Sequence, residues 1–179
     1  MLSEKLKNYN IILASKSPRR QRFFKEMDID FSIQLKETEE KYPDTLSGVQ
    51  ITDYLAKLKA AAFEDLADND LLITSDTIVW QNGKAIEKPK DAADAFRMLK
   101  LFSGSTHSVI TSVTFTGKYF QKTINDTTKV WFNELTDEEI NYYIKTYQPF
   151  DKAGSYGIQE WLGHVGVCKI EGSFFNVMG

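Results

Sequence analysis

Ile11-Ile12-Leu13-Ala14-Ser15-Lys16-Ser17-Pro18-Arg19-Arg20-Gln21-Arg22 reads as a buried strand that runs straight into a cationic helix start. Ile11, Ile12 and Leu13 form a short apolar run rich in β-branched residues. Ser17 stands where a helix N-cap belongs, and Pro18 occupies the first helical position, where its missing N–H costs nothing. Arg19 and Arg20 then fall in the first turn, where the helix dipole disfavours cations and favours an anion. Free backbone N–H groups, the hydroxyls of Ser15 and Ser17 and two guanidinium forks on one loop suit a polyphosphate. The same stretch also suits a solvated basic face or a nucleic-acid contact, because Lys16, Arg19, Arg20, Arg22 and Lys25 follow one another with no acid between Ser15 and Lys25. The rest of the chain decides between these.

The 179 residues suffice for one domain, or two lobes sharing a core, and 42% hydrophobic with 26% charged residues is ordinary for a globular protein. No apolar run reaches membrane-spanning length and Met1–Asn10 holds no signal-peptide core, which predicts a cytoplasmic protein without a membrane partner. A net charge of −3 with one concentrated cationic loop favours a small anionic ligand over nucleic acid. Cys168 is the single cysteine, so no intramolecular disulfide forms, and it is expected to be a small buried residue rather than a nucleophile. His107 and His164 lie in no metal-ligand spacing and are expected to be hydrogen-bonded strand or turn residues.

Outward from the opening strand and helix (10–15 and 18–27), strand and helix signals alternate. Phe31–Leu35 reads as a strand, followed by an acidic connection over 37–44. Residues 51–66 carry the helical apolar stripe Ile51, Tyr54, Leu55, Leu58, Ala62 and Leu66, with Lys59 at its edge and Lys57 in solvent. Leu71–Thr74 is a buried strand expected to end at Ser75-Asp76-Thr77, and β character resumes at Ile78. Asn82-Gly83 marks a hairpin. Asp91 caps a helix that stops at Gly104. His107–Thr116 and Tyr119–Phe132 are strands, Thr136–Glu139 is a capping box, Asp151–Gln159 is a glycine-rich loop, and Val165–Ile170 is the last strand. These elements predict an α/β class: a mixed twisted sheet with flanking helices and two lobes around a nucleotide-binding cleft.

The polar groups at strand ends and tight loops are Ser15, Ser17, Arg19, Arg20, Glu40, Lys59, Asp76, Lys88, Lys152 and Gln159. Several cations with two carboxylates suit phosphoryl chemistry: cations neutralise phosphate oxygens, while carboxylates hold a metal or orient water. No Walker A string is present, which disfavours a P-loop enzyme. Each residue also has a plain reading. Asp76 could satisfy its own turn, Lys88 could be a surface lysine beside Pro89, Glu40 one acid of a solvated loop, and Gly154 and Gly157 tight turns.

The chain resembles the Maf family of nucleoside triphosphate pyrophosphatases. The resemblance runs in order through Leu13–Arg20, Leu55–Ala60, Ser75–Thr77, Glu87–Pro89, Ser103–His107 and Asp151–Gln159. It implies a single Maf/ITPase-like domain over residues 1–179 that hydrolyses a nucleoside triphosphate to the monophosphate and pyrophosphate with a divalent cation, Mg²⁺ or Mn²⁺. By the same resemblance Asp76 is the proton acceptor and a metal ligand, Glu40 lies near the metal, and Lys59 and Lys88 act in catalysis. Ser15, Arg19, Arg20, Lys59 and Lys88 match the family's phosphate-handling groups, and Arg19, Thr77 and Gln159 match the branch acting on dTTP and UTP. With Ser17 and Lys152, read from the loops themselves, Ser15, Arg19, Arg20, Thr77 and Gln159 are expected to bind substrate. Family members are cytoplasmic and often homodimeric. The family pattern continues beyond Val177-Met178-Gly179 into a Leu-Pro segment and a final helix, which are expected to be missing here. Two other readings compete: a nucleotide-sensing regulator of cell division that binds without turnover, and a single-stranded nucleic-acid binder, against which the acidic net charge weighs.

Overall fold

A computed structural model of the protein describes residues 1–179. In chain order the elements are α1 (Leu2–Leu6), β1 (Asn10–Leu13), α2 (Pro18–Glu26), β2 (Ser32–Ile33), α3 (Val49–Ala61), β3 (Asp70–Gln81), β4 (Lys84–Ile86), α4 (Ala92–Phe102), β5 (Thr106–Gly117), β6 (Phe120–Phe132), α5 (Asp137–Tyr147), a 3₁₀ turn (Ala153–Ser155), α6 (Trp161–Gly166), β7 (Val167–Glu171) and α7 (Phe174–Met178). The predicted α/β class holds: seven strands form one mixed sheet in the order β2-β1-β3-β5-β6-β7, with β4 on β3. β1 pairs in parallel with both β2 and β3, whereas β4 on β3 and β7 on β6 are antiparallel. Ile11, Ile12 and Leu13 are all buried, as are Leu71, Leu72 and Ile73. A continuous apolar run is what a parallel strand covered on both faces requires.

The chain forms two compact units. One comprises 1–76, 112–125 and 179; the other comprises 77–111 and 126–178. In the first, Ile11, Leu13, Ile29, Leu71 and Ile73 form one apolar cluster, and Ile12, Ala60 and Leu72 form another. In the second, Leu99, Phe102, Val130, Ile140, Tyr143 and Leu162 are among the residues of a larger core.

Local sequence signals set several boundaries. The Ser17 side chain caps α2 and Asp91 caps α4. The Thr136–Glu139 capping box is complete at the start of α5. Asn82 and Gly83 both have positive φ in the two-residue turn between Gln81 and Lys84, the conformation a type I′ hairpin needs.

Other expectations are corrected. α3 ends at Ala61, not Leu66, because the chain turns back at Ala67–Asp70, where the Asp70 carboxylate accepts the Ala67 N–H at 2.9 Å. Phe63 and Leu66 still pack against Ile12, Ala60 and Leu72, from a loop rather than a helix. The strand signal at Phe31–Leu35 yields only Ser32–Ile33, and residues 165–166 belong to α6. α1, α6 and α7 span five or six residues each. Helices that short depend on tertiary packing rather than on propensity, so periodicity does not reveal them. α7 is held by Asn176, whose buried side chain donates to Val109 O at 3.1 Å and to Thr128 Oγ1 at 2.9 Å. Cys168 is exposed, not buried, because β7 terminates the sheet.

His107 is a hydrogen-bonded strand residue, as expected. It is buried against Phe102 and Phe132, and its Nε2 lies 2.7 Å from the Tyr156 hydroxyl. Desolvation pushes its pKa down to about 3 from 6.5. Below pH 6.5 the unfolded chain therefore binds a proton that the folded chain refuses. Its contribution to stability is intact above that pH and falls by about 1.4 kcal/mol per pH unit as the pH drops toward 3. Urea denaturation of wild type and His107→Gln across this window is expected to show a pH slope smaller by about one proton in the variant. Equal slopes would refute the assignment.

Candidate functional site

The loop between β1 and α2 is organised by its serines. Ser15 Oγ accepts the Ser17 N–H at 3.1 Å, and Ser17 Oγ accepts the Arg20 N–H at 3.4 Å. Gln21 Nε2 donates to the Ser15 carbonyl at 3.3 Å. No acid occupies the first turn of α2, so its N-terminal field is offset by no carboxylate of its own. Arg20 reaches across to β3, where Nη1 donates to Ser75 O at 2.8 Å. Burial lowers the Arg20 pKa, while Asp76 raises it, Arg19 lowers it and Glu40 raises it in turn. An arginine keeps its charge through such opposing shifts.

Lys59 stands where the helical periodicity of α3 puts it, at the edge of the buried stripe, while Lys57 is exposed as expected. Its Nζ lies 2.7 Å from Asp76 Oδ1 and 3.0 Å from Glu40 Oε2. The Lys59 and Asp76 side chains retain only 17% and 9% of their exposure, against 53% for Glu40. A desolvated ion pair of this kind holds both groups in one geometry, and Glu40 closes over it from the acidic loop. The structure thus brings Ser15, Ser17, Arg20, Glu40, Lys59 and Asp76 together in one unit, with Arg19 beside them.

Asp76 does not end a strand, contrary to the sequence reading. It lies inside β3, which runs unbroken through Ser75-Asp76-Thr77. The polar triplet survives in a strand because residues distant in sequence meet it there. The Ser75 carbonyl accepts from Arg20, the Asp76 carboxylate meets Lys59, and Thr77 Oγ1 lies 2.9 Å from Thr111 Oγ1.

Thr77, Lys88, Lys152 and Gln159 belong to the second unit. Lys88 is exposed, two residues beyond β4. Lys152 is buried in its loop between two carboxylates, 2.7 Å from Asp151 Oδ1 and 3.1 Å from Glu160 Oε1. Glu160 Oε2 accepts a short hydrogen bond from Tyr143, whose hydroxyl also accepts the Gly157 N–H at 3.0 Å. Burial, then Glu160, raises the Tyr143 pKa. Gln159 Oε1 is buried with no hydrogen-bond partner, and an unsatisfied buried acceptor is uncommon enough to need an explanation. Sequence reasoning missed Glu160 and Tyr143. The signal for Glu160 was its place next to Gln159; Tyr143 was hidden in the apolar stripe of α5.

No group of three or more His, Cys, Asp or Glu side chains is arranged to hold a metal ion. Glu40 and Asp76 do converge, since both carboxylates lie within 3.0 Å of the same ammonium nitrogen. Two all-oxygen donors suit Mg²⁺, which takes one or two carboxylates and completes its shell with substrate phosphates and water. The residues present therefore fit such an ion. No helix is long and apolar enough to cross a membrane.

Residues 10–179 match the Maf-like protein family. The chain is 59% identical over 180 residues to the dTTP/UTP pyrophosphatase of Flavobacterium johnsoniae, covering 100% of this chain and 93% of that protein. It is 49% identical over 176 residues to the dTTP/UTP pyrophosphatase of Bacteroides fragilis, covering 97% of this chain and 91% of that protein. Among solved structures, the Ham1 protein of Staphylococcus aureus shares the fold with a TM-score of 0.52 at 18% identity, over 70% of this chain and 72% of that one. The order of the matched motifs, the extent of the match and the identity to full-length relatives all agree: the chain belongs to the Maf-like protein family.

Proposed function

We propose that the protein hydrolyses dTTP and UTP between the α and β phosphates, giving the nucleoside monophosphate and pyrophosphate. The observation that supports this most directly is the buried Lys59–Asp76 pair, with Glu40 on the same ammonium and Arg20 bound to the neighbouring Ser75 carbonyl. The relatives named above are dTTP/UTP pyrophosphatases over nearly their whole lengths.

In this reading the triphosphate lies on Ser15, Ser17, Arg19 and Arg20, where the α2 N-terminus and the guanidinium groups meet its oxygens. Asp76 accepts a proton from the water that attacks phosphorus. Lys59 holds that carboxylate in place and, with Lys88, offsets charge that builds on departing pyrophosphate. A divalent cation, Mg²⁺ or Mn²⁺, would be held by Glu40 and Asp76 and would withdraw charge from phosphate oxygens. On the family resemblance Thr77 and Gln159 meet the base or sugar. The amide of Gln159 can donate to and accept from a pyrimidine edge, and its unsatisfied Oε1 favours such a role. Lys152 orders the same loop through Asp151 and Glu160. The proposal includes a cytoplasmic location and a homodimeric state, with no nucleic-acid partner.

Ion-exchange analysis of products after incubation with dTTP, UTP, CTP or GTP and magnesium tests it. Monophosphate and pyrophosphate are expected, fastest from dTTP and UTP. Intact nucleotide with folded protein, or release of single phosphates, would overturn it.

A further inference from the structure

The side of α3 that faces the sheet carries a row of polar attachments. Thr52 Oγ1 lies 2.6 Å from Ser112 Oγ on β5, the Ala56 carbonyl accepts Thr74 Oγ1 at 2.7 Å, and Lys59 meets Asp76 at 2.7 Å. Residues 52, 56 and 59 share one helical face. Thr74 and Asp76 are two apart on β3, so their side chains leave the same face of the sheet. Thr74 and Ala56 are both fully buried. The carbonyl of Ala56 lies inside a helix, where one lone pair serves the helix and the other remains available. Thr74 uses the second, two residues before Asp76, on a helix that presents Lys59 three residues after Ala56.

We infer that Thr74 is a positioning residue for catalysis: its hydrogen bond to the Ala56 carbonyl sets the register of α3 on β3, and so holds the Lys59 ammonium on the Asp76 carboxylate. This inference rests on the catalytic reading of that pair. A lysine stem has four rotatable bonds, so charge attraction alone specifies only that the two groups meet. The Thr74 bond specifies where the helix backbone stands when they do. A displacement of about 1 Å in a reacting constellation costs up to about a hundredfold in rate.

Thr74→Val keeps the side-chain shape and removes the donor. It is expected to lower kcat for dTTP about tenfold with KM changed less than twofold, while Thr74→Ser restores kcat to within about twofold of wild type. Thr114→Val is the matched control. It removes another buried threonine hydroxyl of the same unit, whose partner is Thr123 Oγ1 at 2.9 Å rather than α3, and is expected to leave kcat unchanged. Thr74→Ala serves as a second hydroxyl deletion if the valine variant does not fold. Wild-type kcat in the deletion variants, failure of serine to rescue, or an equal loss in Thr114→Val would each overturn the inference. Asp76→Asn in the same assay separates the two levels. If it is inactive while Thr74→Val is normal, only the role of Thr74 falls; if it turns over normally, the catalytic reading of the pair falls as well.

Discussion

Asp76→Asn is expected to reduce kcat by about a thousandfold while nucleotide binding changes little, the range a positioned general base contributes. Asparagine keeps the size of the side chain, and its amide oxygen can still accept the hydrogen bond that Lys59 now gives to Oδ1 at 2.7 Å. What it loses is the capacity to take up a proton, together with one charged donor of the proposed cation site. The groups proposed to face phosphate keep contacts that the substitution leaves in place: Ser17 N to Ser15 Oγ, Arg20 N to Ser17 Oγ, and Arg20 Nη1 to Ser75 O. Substrate affinity should survive. Single-turnover kinetics with labelled dTTP, alongside equilibrium binding, separates the effects; normal turnover would remove Asp76 from the chemistry.

Lys59→Met is expected to cost both activity and stability. Methionine fills similar space but leaves the buried Asp76 carboxylate without the ammonium 2.7 Å from its Oδ1. Removing one partner of a buried pair destabilises by about 3–5 kcal/mol. The lower end is expected here, because Arg20 lies near enough to interact with Asp76 and the Glu40 side chain is 53% exposed and can return to water. The kcat should fall at least a hundredfold, since charge on departing pyrophosphate loses a cation. The double variant Lys59→Met/Asp76→Asn should recover much of the stability and none of the activity, because it removes the stranded charge along with the base. Urea denaturation of the four members of this cycle gives the coupling directly. A single variant as stable as wild type would show that the pair contributes little to holding α3 on β3.

These expectations depend on features of unequal legibility. The α2 start was readable because its determinants are local: a capping serine, a proline at the first helical position and the arginines that follow lie within four residues. The Asn82-Gly83 hairpin and the Thr136–Glu139 capping box were readable for the same reason. Lys59 could be placed at the edge of α3 from the 3.6-residue period of its neighbours, and Lys57 in solvent. The setting of Asp76, inside β3 rather than at its end, is not legible in the sequence. Three consecutive polar residues suggest a strand end, and only partners far away in sequence allow β3 to continue through them. The exposure of Cys168 is not legible either, because composition cannot tell a central strand from the strand that closes the sheet.

The sequence by itself determined the family, the α/β class, the capped starts of α2, α4 and α5, and the cationic loop that opens α2. Such information is carried by neighbouring residues and by motifs in order. The tertiary structure decided that Lys59 answers Asp76 and Glu40 together, that Arg20 binds the Ser75 carbonyl, that Thr74 fastens α3 to β3, and that Lys152 is held by Glu160. All but the last of these contacts join residues 17 to 55 positions apart along the chain. They form only when the sheet order and the seating of α3 bring those positions together, and neither propensity nor periodicity encodes that choice.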